Sequence, residues 1–120
     1  MYKIHNYIDG QIVEPNSDKY LTITNPATGE IQGNVINSNK YDFEKLITSS
    51  KNAFNLWSQE TPLRRSRILS NFKNLIEKNL EELAQIISRE HGKTFEDAKG
   101  SVTRGLEVVE FACGIPHLLK

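Results

Sequence analysis

The residue with the clearest chemical potential is Arg104, in the stretch from His91 to Cys113. A guanidinium is a permanently charged planar fork that matches a carboxylate in two parallel hydrogen bonds, and Gly100 and Gly105 beside it let a ligand or backbone come close. Arg104 is thus a candidate anion receptor. The plainer alternative is a side chain that reaches along the helix to water and pairs with Glu107 at i+3. The other candidates carry less. Cys113 is the single cysteine. It has no base in register and lies on an apolar face, where an unpaired thiol behaves as a small core residue. One cysteine also excludes an intrachain disulfide framework and a cysteine-rich metal site. His5, His91 and His117 show no ligand spacing such as i, i+4, so no metal set is expected. Gly100, Gly105 and Gly114 lie within or at the end of a helical pattern, their amides committed, and no glycine-rich phosphate loop follows a strand. No catalytic or cofactor-binding residue is therefore assigned. Lys plus Arg and Asp plus Glu both number 15, leaving no net field to draw the chain onto nucleic acid or an anionic membrane. Arg64, Arg65 and Arg67 are clustered and read as a solvated helix end.

The elements that position Arg104 are legible in order. Tyr7-Ile-Asp-Gly-Gln-Ile-Val13 places an Asp-Gly pair between two apolar runs and predicts a tight hairpin. Leu21-Thr-Ile-Thr alternates as a strand, Asn25-Pro-Ala-Thr-Gly-Glu30 is a turn, and a further strand runs from Ile31 to about Ile36. After Asn37 the character changes. Asn39 and Asp42 open a helix with Phe43, Leu46, Ile47, Phe54 and Trp57 on one stripe. Thr61-Pro62 opens a second, with Ile68, Leu69, Phe72, Leu75 and Ile76 facing a core. Asn79 and Glu82 start a third, carrying Leu80, Leu83, Ala84 and Ile87 and stopping at Gly92.

The fourth helix begins at the cap Thr94, with Glu96 and Asp97 in its first turn. Phe95, Ala98, Val102, Leu106, Val109 and Cys113 form one apolar face, while Val108, Phe111, Ala112 and Ile115 form another. A helix apolar on two sides needs neighbours on two sides. Gly100 and Gly105 each weaken it by about 0.8–1 kcal/mol relative to Ala, so tertiary packing must compensate. The fold class expected is α+β: β-hairpins over 1–37 followed by four helices over 38–120. No apolar run approaches the ~20 residues of a membrane span, and a soluble, cytoplasmic protein is expected.

Five segments in order, Tyr7-Ile-Asp-Gly-Gln, Asn25-Pro-Ala-Thr-Gly-Glu, Phe54-Asn-Leu-Trp57, Thr61-Pro62-Leu-Arg-Arg65 and Glu90-His-Gly-Lys93, together resemble the amino-terminal part of the NAD(P)-dependent aldehyde dehydrogenase superfamily. Gly92 to Ala112 is similar to its acylating, coenzyme-A-dependent methylmalonate-semialdehyde branch. The resemblance implies an enzyme in which a cysteine thiolate adds to the aldehyde, hydride passes to NAD, carbon dioxide is lost and coenzyme A takes the acyl group as propionyl-CoA or acetyl-CoA. It also implies that Arg104 matches the arginine that receives the substrate carboxylate. The two regions would then be an incomplete part of a cofactor-binding domain.

The family's nucleophile loop, its neighbouring glutamate and asparagine, its cofactor-binding strands and its oligomerisation strands belong to downstream segments, and Cys113 does not match the nucleophile motif. The partners implied are therefore the remainder of a dehydrogenase chain and, for the whole family protein, further copies of itself. The 120-residue chain alone is expected to lack dehydrogenase activity, to bind neither NAD nor coenzyme A, and to be loosely packed and aggregation-prone. Two alternatives remain at this point: a non-catalytic helical binding module or decayed remnant, and a general, non-acylating aldehyde dehydrogenase.

Overall fold

A computed structural model describes residues 1–119, which form five strands, four α-helices and one short 3-10 turn. They fall into two compact units, one over Met1–Gln59 and one from Glu60 onward. The first helix is counted with the strands, so the boundary of compaction lies beyond the change of secondary structure expected near residue 37.

In the first unit, β1 (Tyr2–Ile4), β5 (Ile31–Ile36) and β4 (Tyr20–Thr24) form a three-stranded sheet in that order, while β2 (Asn6–Ile8) and β3 (Gln11–Val13) form the expected hairpin. Its turn holds Asp9 at φ 54° and Gly10 at φ 76°. Two successive positive values are what a type I′ turn demands, and Asp-Gly tolerates them. The turn at 25–30 is closed by the Asn25 side chain, whose Oδ1 accepts from the Ala27 amide at 2.9 Å, with Gly29 at φ 75°. Strand β1 was not foreseen. It pairs parallel to β5 with Tyr2 opposite Gly33, and an added Cβ on Gly33 would sit 2.5 Å from the Tyr2 carbonyl oxygen. The glycine is what lets the two backbones meet.

Helix α1 (Lys40–Trp57) opens with a full capping box: Asn39 Oδ1 accepts from the Tyr41 and Asp42 amides, and the Asp42 carboxylate accepts from the Asn39 amide at 3.0 Å. The same carboxylate accepts from the amides of Asn16 at 2.6 Å and Ser17 at 3.3 Å, which pins the polar loop before β4 to the helix start. Three backbone donors hold Asp42 below its ordinary pKa of 3.8, the Asn16 bond being the largest cause. The expected core stripe of α1 is corrected. Phe43, Leu46, Ile47, Phe54 and Trp57 are all exposed, and Asp42 is the one buried residue of the helix. The apolar spacing is present; among the described residues nothing covers it.

The second unit contains α2 (Pro62–Lys78), α3 (Leu80–His91), α4 (Phe95–Cys113) and the 3-10 turn Ile115–His117. Thr61 caps α2 and Thr94 caps α4 through their hydroxyls, and Gly92 ends α3 at φ 81°. Asn79 departs from expectation. Its side chain donates to the Leu75 carbonyl at 2.7 Å and so closes α2, leaving α3 without a side-chain cap. With a single residue between two helices, the orphan carbonyl takes the side chain first.

Ala84 of α3 and Ala98 of α4 are fully enclosed, with Val102 beside them and Ile76, Leu80, Leu83, Ile87 and Phe95 packed around. Two alanines at the crossing let α3 and α4 approach closely. Ser66 of α2 donates to the Cys113 carbonyl at 2.5 Å, satisfying a group at the end of α4 that has no partner within the helix. Of the α2 face expected inward, Leu69 and Ile76 are half-buried, whereas Ile68, Phe72 and Leu75 are exposed. Of the two apolar faces of α4, the first is packed and the second is open at Val108 and Phe111.

Candidate functional site

Arg104 stands in the middle of α4, on its exposed side. Long helical side chains lean toward the helix N-terminus, and this one does: Arg104 Nη2 donates to Ser101 Oγ at 3.3 Å, and its Nη1 lies 3.5 Å from where a Cβ on Gly100 would be. One guanidinium nitrogen thus lies close to Gly100, while the space beside Gly105 is open. The expected pair with Glu107 does not form. Among the described residues Arg104 has no ion pair, although Lys99 on the same helix reaches Glu81 at 2.9 Å and Lys73 reaches Glu77 at 2.7 Å.

Ser101 is shared. Its Oγ also accepts from Lys93 Nζ at 2.8 Å and donates to the Asp97 carbonyl at 3.1 Å. A hydroxyl has one donor and two acceptor sites, so Ser101 is fully used. Lys93 precedes the cap of α4 and its side chain runs alongside the first turns. Neither Lys93 nor Ser101 was singled out from the sequence. The eight-residue separation lies outside the i, i+3 and i, i+4 rules that expose helical pairs.

The other residues weighed from the sequence are engaged in hydrogen bonds elsewhere or exposed. Cys113 is half-buried, its thiol donating to the Val109 carbonyl at 3.3 Å. His5 Nε2 meets the Tyr20 hydroxyl at 3.3 Å, while His91 and His117 are exposed at helix ends. Among the described residues no three His, Cys, Asp or Glu side chains converge as metal ligands, and no helix is long and apolar enough to cross a membrane. In the arginine cluster, Arg64 pairs with Glu60 at 3.2 Å and Arg67 is exposed. Arg65 departs from the solvated reading: it is half-buried, with an enclosed Nε that lacks a hydrogen-bond partner among the described residues.

Comparison with known proteins identifies the family. Residues 12–120 match the model of the aldehyde dehydrogenase family. A mitochondrial methylmalonate-semialdehyde/malonate-semialdehyde dehydrogenase [acylating] of Rattus norvegicus is 44% identical over 113 residues, 94% of this chain and 21% of its own. The methylmalonate-semialdehyde dehydrogenase structure from Oceanimonas doudoroffii superposes with a TM-score of 0.95 at 40% identity, covering all of this chain and 24% of its own. A Sinorhizobium meliloti chain assigned to the same enzyme and crystallised with NAD gives 0.97 at 47%, again 100% of this chain against 24% of its own. The chain spans under a quarter of the length of these relatives. With an α+β segment that overlays the start of their fold, it belongs to the aldehyde dehydrogenase family.

Proposed function

We propose that this chain is the amino-terminal segment of an NAD-dependent, coenzyme-A-acylating (methyl)malonate-semialdehyde dehydrogenase, in which Arg104 receives the substrate's free carboxylate. The observation that carries this is the state of Arg104: an exposed guanidinium without a carboxylate partner among the described residues, bonded to Ser101 and with one nitrogen close to Gly100. Such a fork binds a carboxylate by charge-assisted hydrogen bonds and sets its orientation. The whole reaction oxidises the semialdehyde with NAD, releases carbon dioxide and yields propionyl-CoA or acetyl-CoA. Its nucleophilic thiol and cofactor contacts belong to downstream segments, and the contribution of these residues is to bind and orient. On this reading, 1–37 and 38–120 supply a hairpin segment and a helical layer to a cofactor-binding domain. The rest of the chain covers Val108 and Phe111, and the whole protein is a homo-oligomer. We place it in the cytoplasm, in keeping with the unpaired thiol of Cys113 in this segment.

In the native full-length chain, Arg104→Ala should raise KM for malonate semialdehyde about 10- to 150-fold, the worth of a hydrogen bond to a charged group. It should leave propanal nearly unchanged. Equal effects on both substrates would remove the role of Arg104 and favour a non-acylating dehydrogenase. The 120-residue chain alone is expected to form no NADH. A second reading rests on the exposure of Val108 and Phe111: this face binds a separate protein, as a non-catalytic module or decayed remnant would. A specific partner unrelated to dehydrogenases, captured by the 120-residue chain and lost in Phe111→Ser, would favour it.

A further inference from the structure

The charge around Ser101 is unbalanced. Lys93 Nζ at 2.8 Å and Arg104 Nη2 at 3.3 Å converge on one neutral oxygen, whose own hydrogen is committed to the Asp97 carbonyl. Neither cation has an acidic partner among the described residues. Two like charges held on one acceptor repel each other, and an anion that touches both relieves the repulsion. Lys93 is half-buried, with its ammonium in a part-buried hydrogen bond, while Arg104 is exposed and reachable from solvent. An anion arriving beside Ser101 would meet both charges.

We propose that Lys93 is a second contact for the substrate carboxylate, held beside Arg104 by the Ser101 hydroxyl, so that the carboxylate is taken between an ammonium and a guanidinium. The inference rests on the reading of Arg104 given above. It adds a specificity residue from outside the helix and gives Ser101 a positioning role: the hydroxyl accepts from both cations and fixes their spacing. The division of labour follows from the two groups. The guanidinium supplies a fork with direction, and the ammonium supplies a compact charge without one. Lys93 should therefore contribute chiefly to ground-state capture of the anion, seen in KM, and little to kcat.

The test uses the native full-length chain with three substitutions beside Arg104→Ala. Lys93→Met keeps the length of the side chain and removes its charge. It should raise KM for malonate semialdehyde about tenfold, the effect of losing one charged contact, with kcat and the kinetics for propanal unchanged. Inhibition by malonate, which carries carboxylates but no aldehyde, should weaken by a similar factor. Lys93→Arg should restore most of both. Ser101→Ala, which puts a better helix former at a half-buried position, should weaken malonate inhibition several-fold, and this arm stands even where Lys93→Met melts early. If Arg104→Ala discriminates between the substrates while Lys93→Met and Ser101→Ala leave both KM and malonate inhibition unchanged, the inference is overturned and the role of Arg104 stands. If Arg104→Ala itself does not discriminate, both fall together.

Discussion

Replacing Val102 and Val108 separately by Ala removes the same two methyl groups from one helix, once at a site 8% exposed and once at a site 68% exposed. At Val102 the lost burial is worth about 0.8 kcal/mol per methyl, about 1.6 kcal/mol in all. A further cost follows from the cavity left against Ala84 and Ala98. Alanine's better helix propensity returns about 0.5 kcal/mol at most, so Val102→Ala should destabilise by about 1.5–2 kcal/mol. At Val108 only the propensity term survives, and the change should be neutral or stabilising by up to about 0.5 kcal/mol. Urea titration of the 120-residue chain, followed by circular dichroism at low concentration to limit association through the open face, should separate the two midpoints by about 1 M. Coincident midpoints would refute the packing of α4 through its Val102 face. Repeated in the native full-length chain, the Val108 variant should become destabilising, as the proposal that the rest of the chain covers it requires. If it stayed neutral, the open face would be a surface in the whole protein as well.

Other consequences can be checked together. Gly33→Ala puts a Cβ 2.5 Å from the Tyr2 carbonyl oxygen; β1 should detach and its amides should lose exchange protection, while β4 and the helices keep theirs. Protection unchanged along β1 would show that the strand does not depend on this close approach. Asp42 binds its proton less readily folded than unfolded, so its contribution is fully present above its ordinary pKa of 3.8 and is lost as pH falls from there toward the lower folded value. Asp42→Asn should flatten that acid limb for the first unit, read as amide exchange of residues 14–19 against pH, and an unaltered acid limb would contradict the assignment.

What could be read without coordinates is what local chemistry dictates. The Asp9-Gly10 turn, the Asn39/Asp42 capping box, the caps Thr61 and Thr94 and the Gly92 stop each follow from a side chain and its neighbours within four residues, and each is present. The two-faced nature of α4 was legible as well, because periodicity records how many sides of a helix are apolar. What escaped depends on partners distant in sequence. Strand β1 exists because Gly33 admits it, and no feature of its three residues says so. The stripe of α1 was recognised, but periodicity does not tell whether the covering surface lies in the same 120 residues. Asn79 stands at the start of α3 as read, but one residue serves two termini, and its side chain goes to the Leu75 carbonyl of α2 instead of capping α3. At the site, Arg104 stood out by its type beside two glycines, whereas Lys93 and Ser101 emerged only once the side chain of Lys93 was seen to run along the helix start.

The most direct test of the central claim is made on the native polypeptide, captured from its source cells with an antibody against this chain, weighed intact and supplied with malonate semialdehyde, NAD and coenzyme A. The expected result is a mass several times the 13.7 kDa of these residues, with NADH and acetyl-CoA formed in equal amounts. A captured polypeptide of 13.7 kDa, or a longer one that oxidises simple aldehydes without making an acyl-CoA, would contradict it.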